Sequence, residues 1–330
     1  MVQKNFCFCC AFFSVREFYH LRVYNVQTNS GIAQKTGDEN LEKNRLKVLL
    51  GDLMILVVAF IWGATNVVMR DALSEVPPLW FSGLRFLIAS ATVFLFFGRR
   101  AMRIPAKEKA TSILTGGVFI MAYLVGAVAL LYTTAGNQSF IVSMSVVFVP
   151  VGVWIFTRKF PGWHIVLSVA LCTAGMAGLV LDESFSVNYG DLLCFVSMLC
   201  VTAYILLVQK FVKNADPYAL ACWQAFGGMV VAVAAAAVFE PLPTNIPLKG
   251  WLAIVYAGTA GFALTVVLQN VAQKYTTATH AAILLSTSSV FGSALGVIFI
   301  GEPMTMRIFV ASALILSGVV AAEAIPALKK

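Results

Sequence analysis

From Leu49 onward the chain alternates between long apolar runs and short polar breaks. Ten runs can be delimited, at roughly 49–70, 78–98, 111–132, 138–157, 163–181, 190–210, 217–239, 250–272, 279–300 and 306–325. Each holds about 19–23 residues, the length that a helix rising ~1.5 Å per residue needs to cross a ~30 Å hydrocarbon core. The runs are apolar on both odd and even positions, whereas a barrel strand alternates over about ten residues. Pro77-Pro78, Gly98-Arg99-Arg100, Pro161-Gly162, Asp216-Pro217 and Pro241-Leu242-Pro243 interrupt the runs with helix-stopping chemistry. The pattern predicts an all-α membrane protein with ten transmembrane helices.

The first 45 residues break this rhythm. Asn5 to Val15 is apolar but only eleven residues long, too short to span. No small-residue cleavage site follows it, and residues 27–45 are polar and irregular. Residues 1–45 are expected to form a poorly ordered cytoplasmic tail.

Composition narrows the class. Of 330 residues, 60% are apolar and 12% charged, and mean hydropathy is +0.86. Eleven of the 38 charged residues fall in the first 50 positions, so the remainder cannot cover a water-facing surface. A soluble enzyme, a disordered chain and a secreted disulfide scaffold are excluded. The net charge of +8 is split into short clusters between apolar runs, with no aromatic–basic stripe for a nucleic acid. Cys172, Cys194, Cys200 and Cys222 lie within apolar runs, where a thiol acts as a small hydrophobe. Cys7, Cys9 and Cys10 lack metal-site spacing. Neither a metal nor a cofactor is expected.

Lys and Arg are distributed unevenly. Nineteen fall in the tail, in alternate breaks (Arg99 to Lys109, Arg158-Lys159, Lys210 to Lys213, Lys274) and at Lys329-Lys330. The opposite side has three: Arg70, Lys249 and Arg307. The positive-inside rule then puts both termini in the cytoplasm of a plasma-membrane protein.

The chain also repeats itself. Gly51-Asp52-Leu53 returns as Gly190-Asp191-Leu192, an offset of 139 that persists to Pro78 and Pro217. Tyr132-Thr133-Thr134-Ala135 returns as Tyr275-Thr276-Thr277-Ala278, an offset of 143. That register makes eight of 17 positions identical from 132 to 148 and pairs Gly175 with Gly318. Two five-span units, 49–181 and 190–325, follow. Five is odd, so the copies enter the membrane in opposite directions, the inverted repeat of secondary transporters with a site near the midplane.

Ten spans in two copies, Trp62-Gly63 in the first span, Arg85-Phe86 in the second and Gly301-Glu302 ending the ninth give a resemblance over about residues 49–325. The chain resembles the EamA branch of the drug/metabolite transporter superfamily. One feature departs from that pattern: Thr157-Arg158-Lys159 ends the fourth span, where the family often has an acidic residue, so Lys159 stands opposite Glu302. The resemblance implies a multi-pass transporter of small organic metabolites, amino-acid-like or drug-like, commonly an exporter driven by an ion or solute gradient.

Arg85 is the sharpest candidate for substrate contact. It lies about seven residues into its span, where an Arg costs ~2.5–3.5 kcal/mol to insert and usually faces a cavity or partner. A guanidinium can bind a carboxylate bidentately; a structural clamp on a carbonyl, or snorkelling toward the interface, is the alternative. Its repeat counterpart is Gln224. Trp62 and Asn66 share one face of the first span and offer a stacking wall and a polar contact; packing plus an interhelical hydrogen bond is the alternative. Tyr204 and Tyr256 are aromatic groups within spans that complete the expected substrate set. His280 and Glu302, near the ends of the ninth span, are candidates for ion coupling, His280 because histidine is the side chain whose ordinary pKa lies near neutrality; a hydrated or capping residue at a helix end is the alternative. Asp52 and Asp191 read as helix N-terminal caps. Gly292/Gly296 and Ala174/Gly178 are small-residue packing pairs.

The competing class is a membrane-embedded enzyme or scaffold. His20, His164 and His280 lie in separate segments, there is no Walker A pattern, and no intramembrane carboxylates are paired. No catalytic residue is assigned. The expected partners are a small-molecule substrate and the lipid bilayer, with a homodimer left open and no nucleic acid.

Overall fold

The structure, a computed structural model, describes residues 36–72, 76–129, 132, 138, 141–180, 189–213, 215–300 and 305–328. Within them, the side chains of 36–45, 66, 70–72, 127, 179–180, 300, 307 and 323–328 lie outside the description. In chain order the helices are α1 (Thr36–Ala72), α2 (Pro78–Arg103), α3 (Ala106–Ala129), α4 (Ser145–Thr157), α5 (Trp163–Val180), α6 (Tyr189–Val212), α7 (Pro217–Phe239), α8 (Leu248–Gln273), α9 (Ala278–Phe299) and α10 (Met306–Leu328). Among the described residues seven of these are long and apolar enough to cross a membrane, and the apolar stretches Ile141–Thr157, Trp163–Gly178 and Ile308–Ala322 are shorter.

Prolines set several starts. Pro78 and Pro217, repeat counterparts, both stand in the first helical turn, where the missing N–H costs nothing. Asp216 caps α7 by accepting from Tyr218 N at 3.0 Å. Pro77 gives α2 no side-chain cap. Instead Glu240, just past the end of α7, accepts from Leu79 N and Trp80 N at 3.0 and 3.1 Å. A carboxylate there meets both orphan donors and the positive end of the helix dipole.

That bond reflects the main packing relationship. α2 runs antiparallel against α7 for its whole length: Gly83 lies by Val233, Phe86 by Gly228, Cys222 by the Val93 carbonyl and Phe97 by Tyr218. α5 and α10 pair in the same way, with Gly175 against the Ala311 carbonyl and Gly318 against Ser168 and Cys172. α3 packs on α6 and α7, and α1 packs on α8 and α9. The main core cluster sits where α1, α2, α3, α6, α7 and α8 meet.

Several expectations change. Residues 36–45 are helical rather than an unordered tail, because α1 starts at Thr36; residues 1–35 lie outside the described residues. Asp52 is therefore inside α1 and does not stand in a first turn, whereas Asp191 does. In α5, Ala174 is exposed and Gly175 makes the close crossing instead. The expected Gly292 contact is present: a Cβ on Gly63 would lie 2.8 Å from Gly292 N. α8 is interrupted by a π-helical turn at Thr259–Leu264, and α9 breaks at Ser286-Thr287 before a π turn at Gly296–Ile300.

Candidate functional site

Three successive turns of α3 organise the centre of the bundle. Phe119, 2% exposed, touches five other rings: Trp62 of α1, Phe86 of α2, Tyr123 of α3, Tyr204 of α6 and Phe262 of α8. The tightest pairs are Phe86–Phe262 at 4.4 Å and Phe119–Tyr204 at 4.5 Å between centroids. Aromatic pairs at these tilted geometries add ~0.5–1.5 kcal/mol beyond area burial. Trp62 also donates from Nε1 to Thr265 Oγ1 at 3.3 Å, which fixes α1 to α8 just after the π turn.

One turn further along α3, Tyr123 carries the ring under Arg85. The guanidinium carbon lies 5.0 Å from the Tyr123 centroid and 5.2 Å from that of Phe86. Nη1 contacts Met69 Sδ at 3.3 Å, and Nε has no hydrogen-bond partner. Arg85 is 2% exposed and is the one basic side chain among the buried polar groups of the described residues. Two ring faces and a thioether are weak partners for a desolvated cation. Among the described residues no main-chain carbonyl accepts from the guanidinium.

One turn in the other direction, Gly116 allows the backbone of α7 to come in. A Cβ there would overlap the Gln224 carbonyl, so α3 and α7 touch main chain to main chain. The Arg85 carbonyl approaches Gly258 of α8 in the same manner, 2.7 Å from a Cβ built there. Arg85 and its counterpart Gln224 thus stand on either side of the ring hub. About seven residues of α3, or ~10 Å, separate their contact points.

Around Gln224 lies a group of side-chain amides, of which the sequence points to Gln224 alone as a substrate contact. Gln224, Gln269, Asn270 and Gln273 are fully buried and Gln209 is 3% exposed. Asn270 donates to Gln224 Oε1 at 2.8 Å and to the Pro217 carbonyl at 3.3 Å, and Gln209 donates to the Gln273 carbonyl at 3.2 Å. Seven amide atoms remain without a partner: Gln209 Oε1, Gln224 Nε2, Asn270 Oδ1 and both polar atoms of Gln269 and Gln273. A buried polar group left unpaired costs ~1–3 kcal/mol, so this concentration is unlike an ordinary packed interior. A run of three amides within five residues of an otherwise apolar helix was the available signal.

Of the remaining candidates, Tyr204 joins the hub directly and is 2% exposed. Tyr256 is half-buried on α8 and makes none of the hub's ring contacts among the described residues. Asn66 is in α1, but its side chain is outside the description, as is all of Glu302. His280 lies elsewhere. With Lys159, His164, Trp154 and Thr277 it lines a shallow cleft of about 150 Å³ where α4 ends and α5 and α9 begin. Among the described residues no group of three His, Cys, Asp or Glu side chains could hold a metal ion.

Comparisons with known proteins agree with this architecture. A family model described as the EamA-like transporter family matches twice, over residues 49–181 and 188–322. The chain is similar to an uncharacterized transporter of Archaeoglobus fulgidus, 31% identical over 293 residues, 88% of this chain and 90% of the relative. The uncharacterized transporter YoaV of Bacillus subtilis is 22% identical over 83% of this chain and 96% of its own. The uncharacterized inner membrane transporter YedA of Escherichia coli K12 is 26% identical over 66% and 71%. A crystal structure with 17% identity superposes with a TM-score of 0.72 over 85% of this chain and 99% of the other, a likeness of fold.

Proposed function

The chain belongs to the EamA-like transporter family, and on that premise we propose that it is a secondary active exporter of small organic solutes, amino-acid-like or drug-like. It is a multi-pass membrane protein. Our reading has ten spans in two inverted five-helix units at 49–181 and 190–325, in the plasma membrane, with both termini cytoplasmic. The antiparallel pairing of repeat counterparts, α2 with α7 and α5 with α10, supports the inversion. The charge asymmetry supports the orientation. Solute passes between the two units by alternating access, with the ring hub around Phe119 as the constriction.

The observation that carries the substrate class is Arg85. A buried guanidinium whose Nε lacks a partner and whose other contacts are rings and a thioether has unused capacity for an anion. A carboxylate fills it with two parallel charge-assisted bonds. The solute is therefore a small carboxylate whose apolar part rests on Tyr123, Phe86 and the hub. The test compares cells with and without the gene for solutes in the medium, followed by purified protein in liposomes loaded with each hit. Carboxylate-bearing solutes should leave faster with the parent protein than with Arg85→Gln at matched membrane level. Liposomes that move no solute yet turn over a lipid or peptide would reverse the assignment to the enzyme class.

A further inference from the structure

The five buried amides of α6, α7 and α8 use three hydrogen bonds to the protein and leave seven polar atoms unpartnered. A network built to hold helices together would pair its members. Here the two amides with both ends unpartnered, Gln269 and Gln273, are four residues apart on one helix face, the face that also carries Thr265 against Trp62. Gln209 reaches the same turn of α8 from α6, and Gln224 reaches it from α7 through Asn270.

The chemistry of the orphaned atoms selects the ligand. Three are donors, on Gln224, Gln269 and Gln273, and four are acceptors, on Gln209, Gln269, Asn270 and Gln273. A cation would leave the donors unused, and an anion the acceptors. A neutral group that both donates and accepts, such as an amide, a hydroxyl or water, matches both sets. Rotating Gln269 or Gln273 by 180° exchanges its ends and leaves these numbers unchanged, whereas rotating Gln209, Gln224 or Asn270 would break the bond that each makes.

We propose that this amide layer is a second solute-binding station, for the uncharged hydrogen-bonding part of the solute, on the far side of the ring hub from Arg85. It extends the transport reading above and rests on it. In the present conformation the orphaned atoms are packed away from solvent, so the station is closed, and α8 must shift to admit a ligand. The π turn at Thr259–Leu264 lies one turn before Gln269, where an irregular hydrogen-bond ladder lets the helix rewind.

The experiment measures modification rates of Gln269→Cys and Gln273→Cys in purified, monodisperse protein. The probe is methyl methanethiosulfonate, which is small and uncharged and carries two sulfonyl acceptors. Cys222 is an internal reference, because it is fully buried on the α2–α7 contact, with its Sγ against the Val93 carbonyl, two residues from Gln224. At least one introduced thiol should react about ten-fold or more faster than Cys222, since only a thiol that meets water forms the reactive thiolate readily. Acetamide should slow that reaction, and acetate at the same concentration should not. Rates equal to that of Cys222 at both positions overturn the station, as does equal slowing by acetate or none by acetamide. Because the readout needs no transport, failure of the parent to export any solute would overturn the transport reading separately. If one cysteine variant is not monodisperse, the other decides.

Discussion

Phe119 of α3 and Phe262 of α8 meet with ring centroids 5.4 Å apart and planes at 40°. They are separated by 143 residues, the offset at which Tyr132 returns as Tyr275, so they are one position of the repeat seen twice. A residue that touches its own counterpart lies next to the axis relating the two units. The rings around it are not symmetric: Phe86 packs on Phe262 at 4.4 Å, whereas its counterpart by the 139 offset is Ala225. The same asymmetry puts Arg85 on one side of the ring hub and Gln224 on the other, so the two repeat units differ in side-chain chemistry at matching positions.

The first prediction follows from that meeting. Phe119→Ala removes a ring with five aromatic neighbours and should destabilise the protein by about 3–5 kcal/mol. Phe262→Ala should cost a similar amount. The double variant should cost less than the sum by ~0.5–1.5 kcal/mol, because the second truncation no longer loses the ring pair. Denaturant unfolding of the purified proteins checks this; strict additivity would mean that the pair is a mere proximity.

Gly116 and Gly117 make a sharp contrast. A Cβ on Gly116 would overlap the Gln224 main-chain carbonyl, which cannot rotate away. A Cβ on Gly117 would meet Val231 Cγ2 at 3.8 Å, an ordinary contact. Gly116→Ala should therefore force α3 and α7 apart and lower the thermal midpoint by several degrees, while Gly117→Ala should leave it unchanged or raise it through helix propensity. Equal midpoints for the two variants would contradict the close main-chain crossing.

Much of this architecture is legible in the sequence because prolines and glycines punctuate it. The run 217–239 coincides with Pro217–Phe239, and 163–181 ends one residue past Trp163–Val180. The repeat is legible because polar matches such as Tyr-Thr-Thr-Ala are rare in apolar sequence. The π turn at Thr259–Leu264 is not, since TAGFAL has the apolar period of the helix on either side. Trp62, Tyr204 and Gln224 could be named as polar or aromatic groups within spans, but that Phe119 joins the first two is a long-range fact carried by no local pattern. Phe119 itself reads as one phenylalanine among 25. Gln269 and Gln273 are buried because α6 and α7 pack on this end of α8, a long-range arrangement that the local sequence does not show.

Glu240 offers a test of packing at the other end of the α2–α7 pair. Its carboxylate accepts two main-chain N–H groups of α2 that no residue of α2 itself caps. Glu240→Ala should cost ~0.5–2 kcal/mol, the range for loss of an N-cap, and Glu240→Gln should cost less, since the amide oxygen still accepts but the charge is gone. Urea titration would resolve the order Glu240, Gln, Ala; an inverted order would remove Glu240 from the capping role.

Arg85 carries the prediction that bears most directly on function. Its guanidinium is 2% exposed, rests between the Phe86 and Tyr123 rings, and leaves Nε without a partner. If those donors receive a solute carboxylate, Arg85→Lys keeps the charge but loses the two-pronged geometry, and transport should weaken. Arg85→Gln gives this half the side chain that Gln224 gives the other and removes the charge, so the loss should be larger. A charge-assisted bond is worth ~1.5–3 kcal/mol, which corresponds to about 10- to 150-fold in affinity. The measurement is concentration-dependent transport in liposomes at equal protein incorporation, with thermal midpoints taken in parallel. A rise in the half-saturating concentration at an unchanged midpoint marks a solute contact. A lowered midpoint with unchanged transport per folded molecule marks a cation that only packs the bundle, and parent-like values for both variants would leave Arg85 with neither role.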